Sequence, residues 1–143
     1  MNLKNRFFYV YAAWIVNLVA MGGSLFYSNI LMYPPCSLCW AQRICIYPQV
    51  LILGVGFLKK DRNVFWYSMP LLAAGLIISG YHNLLYYDFI SQAISECTGG
   101  VSCTSKQVEY LGFVTIPLMS LTSLIISSAL MITFKLKGKD ILE

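Results

Sequence analysis

The sequence predicts an all-α membrane protein, a bundle of four transmembrane helices, and three observations support this fold class. The 143 residues are 58% hydrophobic and only 11% charged, a composition far from that of soluble globular domains. The chain contains four long apolar runs, and most of its basic residues fall between or outside these runs. We therefore expect residues 1–143 to form one polytopic, all-α transmembrane domain.

Each apolar run is long enough to cross the hydrocarbon core of a membrane at about 1.5 Å per helical residue. The first and fourth runs have no charged residue, the second contains only Arg43, and the third contains only His82. Helices are expected because backbone polar groups in lipid must be satisfied within one segment, and the runs lack the alternation of barrel strands. The predicted spans are 7–31, 36–58, 63–87 and 110–134, with outer loops at 32–35 and 88–109.

The basic residues predict the orientation. Eight of the ten lie before the first span, between the second and third, or after the fourth, and the positive-inside bias places them in the cytoplasm. We therefore expect a multi-pass protein of the cell membrane, in contact with lipid, with both termini cytoplasmic. The net charge of +4 is explained by this bias and requires no nucleic-acid partner. The eight residues are Lys4, Arg6, Lys59, Lys60, Arg62, Lys135, Lys137 and Lys139.

Four of the five cysteines fall on the predicted outer side. Cys36 and Cys39 lie where the first outer loop becomes helix two, and Cys97 and Cys103 lie within the second outer loop. Disulfides persist on the outer side of a cell and rarely in the cytosol, so the topology places these cysteines where disulfide chemistry can occur. The fifth, Cys45, falls inside helix two, where a buried thiol behaves as a small hydrophobic residue.

Cys36 and Cys39 form a C-x-x-C pair at a predicted helix start. The preceding Pro35 disfavours helix before it and permits helix after it. A thiol in the first helical turn is close to the positive end of the helix dipole, which favours its thiolate. Arg43 follows Cys39 by four residues, so it shares the same helical face and its cation can also stabilise a thiolate there.

Two alternatives to redox chemistry remain open for these cysteines. A C-x-x-C pair can be half of a zinc site, but structural zinc needs four ligands and the spacing of Cys97 and Cys103 is poor for a metal. We therefore predict no metal site. The cysteines can also form two inert bridges that tie the loops, although the two loops are short and have no core to stabilise.

Arg43 and His82 are predicted to lie at the same depth in the membrane. Arg43 is about 10 Å along the helix axis from Cys36, and His82 is about 9 Å from Asp88, at about 1.5 Å per residue. Two hydrogen-bond donors at equal depth below a redox thiol can hold the carbonyl oxygens of a lipid-soluble quinone. The alternative is that His82 only bonds a neighbouring helix, as polar residues in spans often do.

The complete pattern resembles the DsbB family of membrane thiol oxidases, and is most similar to its short Gram-positive members. The resemblance covers four spans, cytoplasmic termini, the segment Cys36-Ser-Leu-Cys39-Trp-Ala-Gln42-Arg43 and a second cysteine pair before helix four. It implies that Cys36, Cys39, Cys97 and Cys103 are catalytic, with Cys39 next to the quinone. It also implies that Arg43, Gln42 and, by its span and depth, His82 belong to the quinone site.

The resemblance further implies a function: oxidation of a thioredoxin-like partner outside the cytoplasm, with electrons passed to menaquinone or ubiquinone. Such an enzyme supports disulfide formation in exported proteins. Two rival functions were compared with it. A protein like vitamin K epoxide reductase has its loop pair before the C-x-x-C, the reverse of the order here. A non-enzymatic scaffold with disulfide-tied outer loops gives no reason for Arg43 and His82 to lie level in the membrane.

Overall fold

The computed structural model describes residues 3–32, 35–87 and 116–139, and these residues confirm the predicted all-α class. They form four long apolar helices, each able to cross a membrane by its length and composition. The helices are α1 (Leu3–Asn29), α2 (Ser37–Leu58), α3 (Val64–Tyr86) and α4 (Ile116–Lys139). They overlap the predicted spans, but α1 starts before Phe7 and α4 continues past Phe134, because lysine is a good helix former and extends a helix beyond its apolar run.

The helices form a closed four-helix bundle. Each of α1, α2 and α3 packs along the helix that follows it in the chain, and α4 packs against both α3 and α1. The core between them consists of apolar side chains from all four helices, including Val10, Leu53, Leu72 and Met131, which are completely buried. Large apolar side chains also cover the outside of the bundle, as expected for a surface in contact with lipid.

α2 shows this division between core and lipid clearly. Leu53 is buried, whereas a stripe of apolar side chains on another side of the helix is exposed. In water such a stripe would be a large exposed hydrophobic patch, but in a bilayer it contacts acyl chains. The exposed stripe consists of Trp40, Ile44, Leu51, Val55 and Leu58.

The bundle has two chemically different ends. The basic end holds the start of α1, the connection from α2 to α3 and the end of α4. There the Lys135 ammonium lies 4.3 Å from the centre of the Trp66 ring, and Lys137 lies 4.7 Å from the centre of the Tyr9 ring and donates to its hydroxyl. These contacts join α4 to α3 and to α1 by cation–π attraction. The opposite end, which we call the cysteine end, holds the start of α2.

One close helix contact is made at a glycine of α3. Gly75 of α3 has no side chain, and a Cβ atom there would lie 3.1 Å from a Leu124 methyl and 3.2 Å from the Cβ of Cys45. The absence of a Cβ therefore allows α2 and α4 to approach α3 closely. Cys45 is buried at this contact as a free thiol, and it packs against the neighbouring helix as a small residue.

Candidate redox site at the cysteine end

The C-x-x-C pair forms the N-terminal cap of α2. Cys36 has an extended backbone conformation (φ −71°, ψ 170°), and its sulfur accepts a hydrogen bond from the backbone N–H of Cys39 at 3.3 Å. The same cap brings the two sulfur atoms to 2.7 Å from each other, with both cysteines as free thiols. The predicted helix start is thus observed, and α2 begins between the two cysteines.

The two sulfurs differ in their environment. Cys36 is buried, whereas Cys39 is half-buried beside Trp40, whose side chain is 55% exposed on the lipid-facing surface. Cys39 is therefore the more exposed of the two cysteines. Cys39 also has Arg43 one helical turn away on the same face.

The Cys36 thiol has a pKa raised to about 12. Its hydrogen bond to Cys39 is the largest cause, and burial acts in the same direction, because both stabilise the neutral thiol. The hydrogen bond with His82 lowers the pKa and opposes them. Cys36 lies just before the span Ser37–Leu58. The predicted stabilisation of a Cys39 thiolate by the helix terminus and Arg43 stays a prediction.

His82 of α3 is brought directly to the pair. Its side chain is 2% exposed, and its Nε2 atom lies 3.9 Å from the sulfur of Cys36. The other ring nitrogen, Nδ1, lies 3.0 Å from the side-chain nitrogen of Gln42. A neutral imidazole has one donor and one acceptor nitrogen. The hydrogen bond with Gln42 at Nδ1 therefore determines whether Nε2 presents a hydrogen or a lone pair to Cys36.

Arg43 points towards α1. Its Nη2 atom donates to the backbone oxygen of Ser24 at 3.3 Å and to the hydroxyl of Ser28. Its guanidinium also lies 5.4 Å from the centre of the Trp40 ring, within the range of cation–π attraction. These contacts satisfy part of the hydrogen-bonding capacity of a cation in a membrane span, which is otherwise costly.

The structure thus brings together four of the residues predicted from the sequence: Cys36, Cys39, Gln42 and His82. Arg43 is adjacent on α2, but its hydrogen bonds to Ser24 and Ser28 are directed to α1. The predicted catalytic residues Cys97 and Cys103 lie outside the described residues.

Sequence reasoning did not identify Ser24 and Ser28 as neighbours of the site. A signal was present, since two serines four residues apart lie on one face of the last turns of an apolar helix. That face is positioned opposite the only cation of the second predicted span.

Comparisons with known proteins identify the family of this chain. The family described as disulfide bond formation protein DsbB matches residues 5–135. "Disulfide bond formation protein C" of Bacillus subtilis (strain 168) is 41% identical over 124 residues, covering 87% of this chain and 90% of the relative. "Probable disulfide formation protein C" of Halalkalibacterium halodurans is 45% identical over 115 residues, covering 80% and 83% respectively.

A third relative, "Probable disulfide formation protein C 1" of Bacillus anthracis, is 38% identical over 122 residues, covering 85% of this chain and 88% of the relative. No solved structure gives a significant match. The family match covers nearly the whole chain and includes every residue of the site described above. The chain therefore belongs to the DsbB family and is a disulfide oxidoreductase of the disulfide bond formation proteins.

Proposed function

We propose that this protein is a quinone-dependent thiol:disulfide oxidoreductase that oxidises a thioredoxin-like partner outside the cytoplasm. The observation that carries the proposal is the placement of the Cys36–Cys39 pair. One of its sulfurs is buried against His82, and the other is half-buried beside the lipid-facing surface. A pair arranged in this way can exchange with a thiol on one side and deliver electrons to a lipid-soluble acceptor on the other.

The proposed relay has two cysteine pairs. A thiolate of the reduced partner attacks the Cys97–Cys103 disulfide at Cys97, and Cys103 leaves as a thiolate. The second thiol of the partner then attacks the mixed disulfide, which releases Cys97 as a thiolate and the partner as a disulfide. Two electrons and two protons have then left the partner.

The second exchange transfers these electrons inward. Cys103 attacks the Cys36–Cys39 disulfide at Cys36 and frees Cys39 as a thiolate. Cys97 then attacks Cys103, which restores the loop disulfide and frees Cys36. Cys36 takes up a proton readily, because its hydrogen bond to Cys39 and its burial favour the neutral thiol. His82 is in hydrogen-bond contact with this sulfur and can exchange a proton with it.

The residues around Cys39 fit a quinone. Cys39 and Arg43 are half-buried next to the exposed side chains of Trp40 and Ile44, so a molecule dissolved in the bilayer can approach them. Arg43, His82 and Gln42 supply N–H donors of the kind that quinone carbonyls accept. A bound menaquinone or ubiquinone accepts the two electrons and two protons of the dithiol and leaves as quinol.

The proposed orientation places the cysteine end outside the cytoplasm. The basic end contains the connection between α2 and α3 and the C-terminal lysines of α4, and the positive-inside bias assigns that end to the cytoplasm. The single domain 1–143 then has both termini inside the cell and its two outer loops, 32–35 and 88–109, on the oxidising side. Disulfide formation in exported proteins requires this arrangement.

Purified full-length protein tests the proposed function. Dithiothreitol serves as the electron donor and a short-chain menaquinone or ubiquinone as the acceptor, and quinone reduction is followed by absorbance. We expect turnover in the native protein and in Cys45→Ala, because Cys45 is buried inside the bundle. We expect its loss in Cys36→Ala and Cys39→Ala.

A reduced thioredoxin-fold protein then replaces dithiothreitol, and Cys97→Ala and Cys103→Ala are compared. Loss of partner oxidation in both variants supports the two-pair relay, while normal rates in either variant contradict it. Extraction of the purified native protein with organic solvent should also yield a bound quinone. Thiol oxidation without any dependence on quinone would overturn the proposal.

A further inference from the structure

In the reduced site, three side chains that take part in the proposed exchange also form a set of possible metal ligands. The ligand atoms of Cys36, Cys39 and His82 all lie within 4.8 Å of one another, the one such cluster of three among the described residues. Two thiolates and an imidazole are the ligands that Zn²⁺ and other thiophilic cations prefer. We propose that the reduced form of this protein binds one such cation through Cys36, Cys39 and His82.

Binding of a tetrahedral cation by these three side chains needs only small side-chain movements. Tetrahedral zinc, with bonds of about 2.3 Å to sulfur and about 2.0 Å to nitrogen, holds its sulfurs about 3.8 Å apart and a sulfur and nitrogen about 3.5 Å apart. The two sulfurs are now 2.7 Å apart, and the sulfur of Cys36 is 3.9 Å from Nε2 of His82. Two small movements bring these distances to the zinc values: separation of the sulfurs by about 1 Å, which rotation of the Cys39 side chain can supply, and an approach of about 0.4 Å between the His82 ring and the Cys36 sulfur.

The surroundings of the three ligands also suit a metal. The backbone N–H of Cys39 donates to the sulfur of Cys36 at 3.3 Å, so part of the charge of a bound thiolate is already compensated. His82 would bind through Nε2, which leaves Nδ1 to donate to the side-chain oxygen of Gln42 after rotation of the amide. A histidine ligand held through its second nitrogen in this way is typical of metal sites.

Binding depends on the redox state of the pair. A cation displaces the protons of both thiols, whereas a Cys36–Cys39 disulfide offers no thiolate. Three protein ligands leave a fourth position for water or for a thiolate of another protein. The bound cation occupies the sulfur lone pairs from which electrons pass to the quinone in the proposed function, so it holds the pair reduced and stops turnover until it is removed. From the sequence we predicted no metal site, because only the fold brings His82 of α3 to the start of α2.

Co²⁺, a spectroscopic substitute for Zn²⁺, tests the proposal with the full-length protein. Cys97→Ser/Cys103→Ser protein is used, so that only Cys36, Cys39 and Cys45 remain as thiols. After reduction with a phosphine and its removal, Co²⁺ titration should give thiolate-to-cobalt charge-transfer absorption that saturates at one ion per chain. Excess Zn²⁺ should abolish this absorption. The same protein with its pair oxidised should give none.

Variants then assign the ligands. Cys36→Ser, Cys39→Ser and His82→Phe should each abolish or strongly weaken the absorption, while Cys45→Ala should leave it unchanged. Gln42→Leu should weaken Co²⁺ binding by about 10- to 100-fold, and Gln42→Glu should restore it, because a carboxylate also accepts the Nδ1 hydrogen. Circular dichroism confirms that each variant is folded.

Two outcomes would overturn the proposal: no charge-transfer absorption in the reduced protein, or absorption unaffected by loss of Cys36 or of His82. This test needs neither quinone nor a partner protein. A protein that binds no cobalt but reduces quinone retains the proposed function, and a protein that binds cobalt but reduces no quinone retains only the metal site.

Discussion

The side-chain nitrogen of Gln42 lies 3.0 Å from Nδ1 of His82, and both side chains are buried. This contact joins α2 to α3 and fixes the plane of the imidazole ring, so that the opposite nitrogen faces Cys36 at 3.9 Å. The two hydrogen bonds form a line from Gln42 through His82 to the first cysteine. Gln42 therefore acts on the cysteine pair through the histidine.

Gln42→Leu should remove the hydrogen bond that orients the His82 ring. A buried imidazole nitrogen without its partner costs about 1 kcal/mol of stability, so the thermal midpoint should fall modestly. Thiol oxidation should fall more than stability, because His82 no longer has a fixed ring orientation. Gln42→Glu replaces the amide donor with an acceptor, so Nδ1 becomes the donor of a hydrogen bond that still orients the ring, and this variant should recover most activity. Measurement of thermal unfolding and of turnover for both variants separates the effect on stability from the effect on activity. Equal activity in Gln42→Leu and native protein would contradict a role of Gln42 in orienting His82.

The pKa of Cys36 predicts a pH dependence in the reduced protein. Its value of about 12 lies well above neutrality, so the reactive thiolate fraction should rise about tenfold for each pH unit between pH 7 and pH 10. Alkylation of Cys36, followed by mass spectrometry of its peptide, should accelerate accordingly. His82→Phe removes the contact that lowers this pKa and should slow alkylation at a given pH. A rate already constant above pH 7 would contradict the raised pKa.

Arg43→Lys and Arg43→Ala separate charge from hydrogen-bond geometry. Lysine retains the cation but lacks the planar set of donors, so quinone KM should rise while the rate at saturating quinone changes less. Alanine removes both, and loss of a charge-assisted hydrogen bond of about 1.5–3 kcal/mol corresponds to about 10- to 150-fold weaker quinone binding. Unchanged kinetics in both variants would remove Arg43 from the quinone site and favour a purely structural role.

Ser28→Ala tests whether α1 positions Arg43. The guanidinium donates to the hydroxyl of Ser28 and to the backbone oxygen of Ser24, so the variant removes one of two anchors. We expect a severalfold rise in quinone KM, smaller than that of Arg43→Ala, with little change in stability. Thr122→Val, an exposed position on α4, is the matched control and should behave as the native protein. An identical KM in Ser28→Ala and the control would show that Ser28 does not position the arginine.

The proposed topology is testable with a membrane-impermeant thiol reagent on intact, reduced cells. A Cys36→Ala/Cys39→Ala protein leaves only Cys45, Cys97 and Cys103, and Cys45 is buried. Cys97 and Cys103 should be labelled before the cells are lysed. Labelling only after lysis would invert the topology and remove the basis for exchange with an extracytoplasmic partner. A cysteine introduced at Lys60, in the connection of the basic end, should show the opposite pattern.

Sequence reasoning predicted the parts of this structure that depend on local properties. Apolar runs predicted the four helices, and Pro35 with the C-x-x-C pair predicted that α2 starts at the pair, because both features act through neighbouring residues. The contact between His82 and Cys36 was not predicted, since it depends on the rotation of α3 about its axis. Arg43 was expected to act with His82, but its described hydrogen bonds reach α1, where Ser24 and Ser28 resemble ordinary small residues of a membrane helix.

The order of the helices has a consequence for biogenesis. Every described contact of the redox site comes from α1, α2 or α3, whereas α4 closes the bundle by packing against α1 and α3. A ribosome therefore completes the Cys36–Cys39 site before it synthesises the segment that contains Cys97 and Cys103. In the proposed topology, the nascent chain already contains its inner pair and the histidine beside it when Cys97 and Cys103 first reach the oxidising compartment.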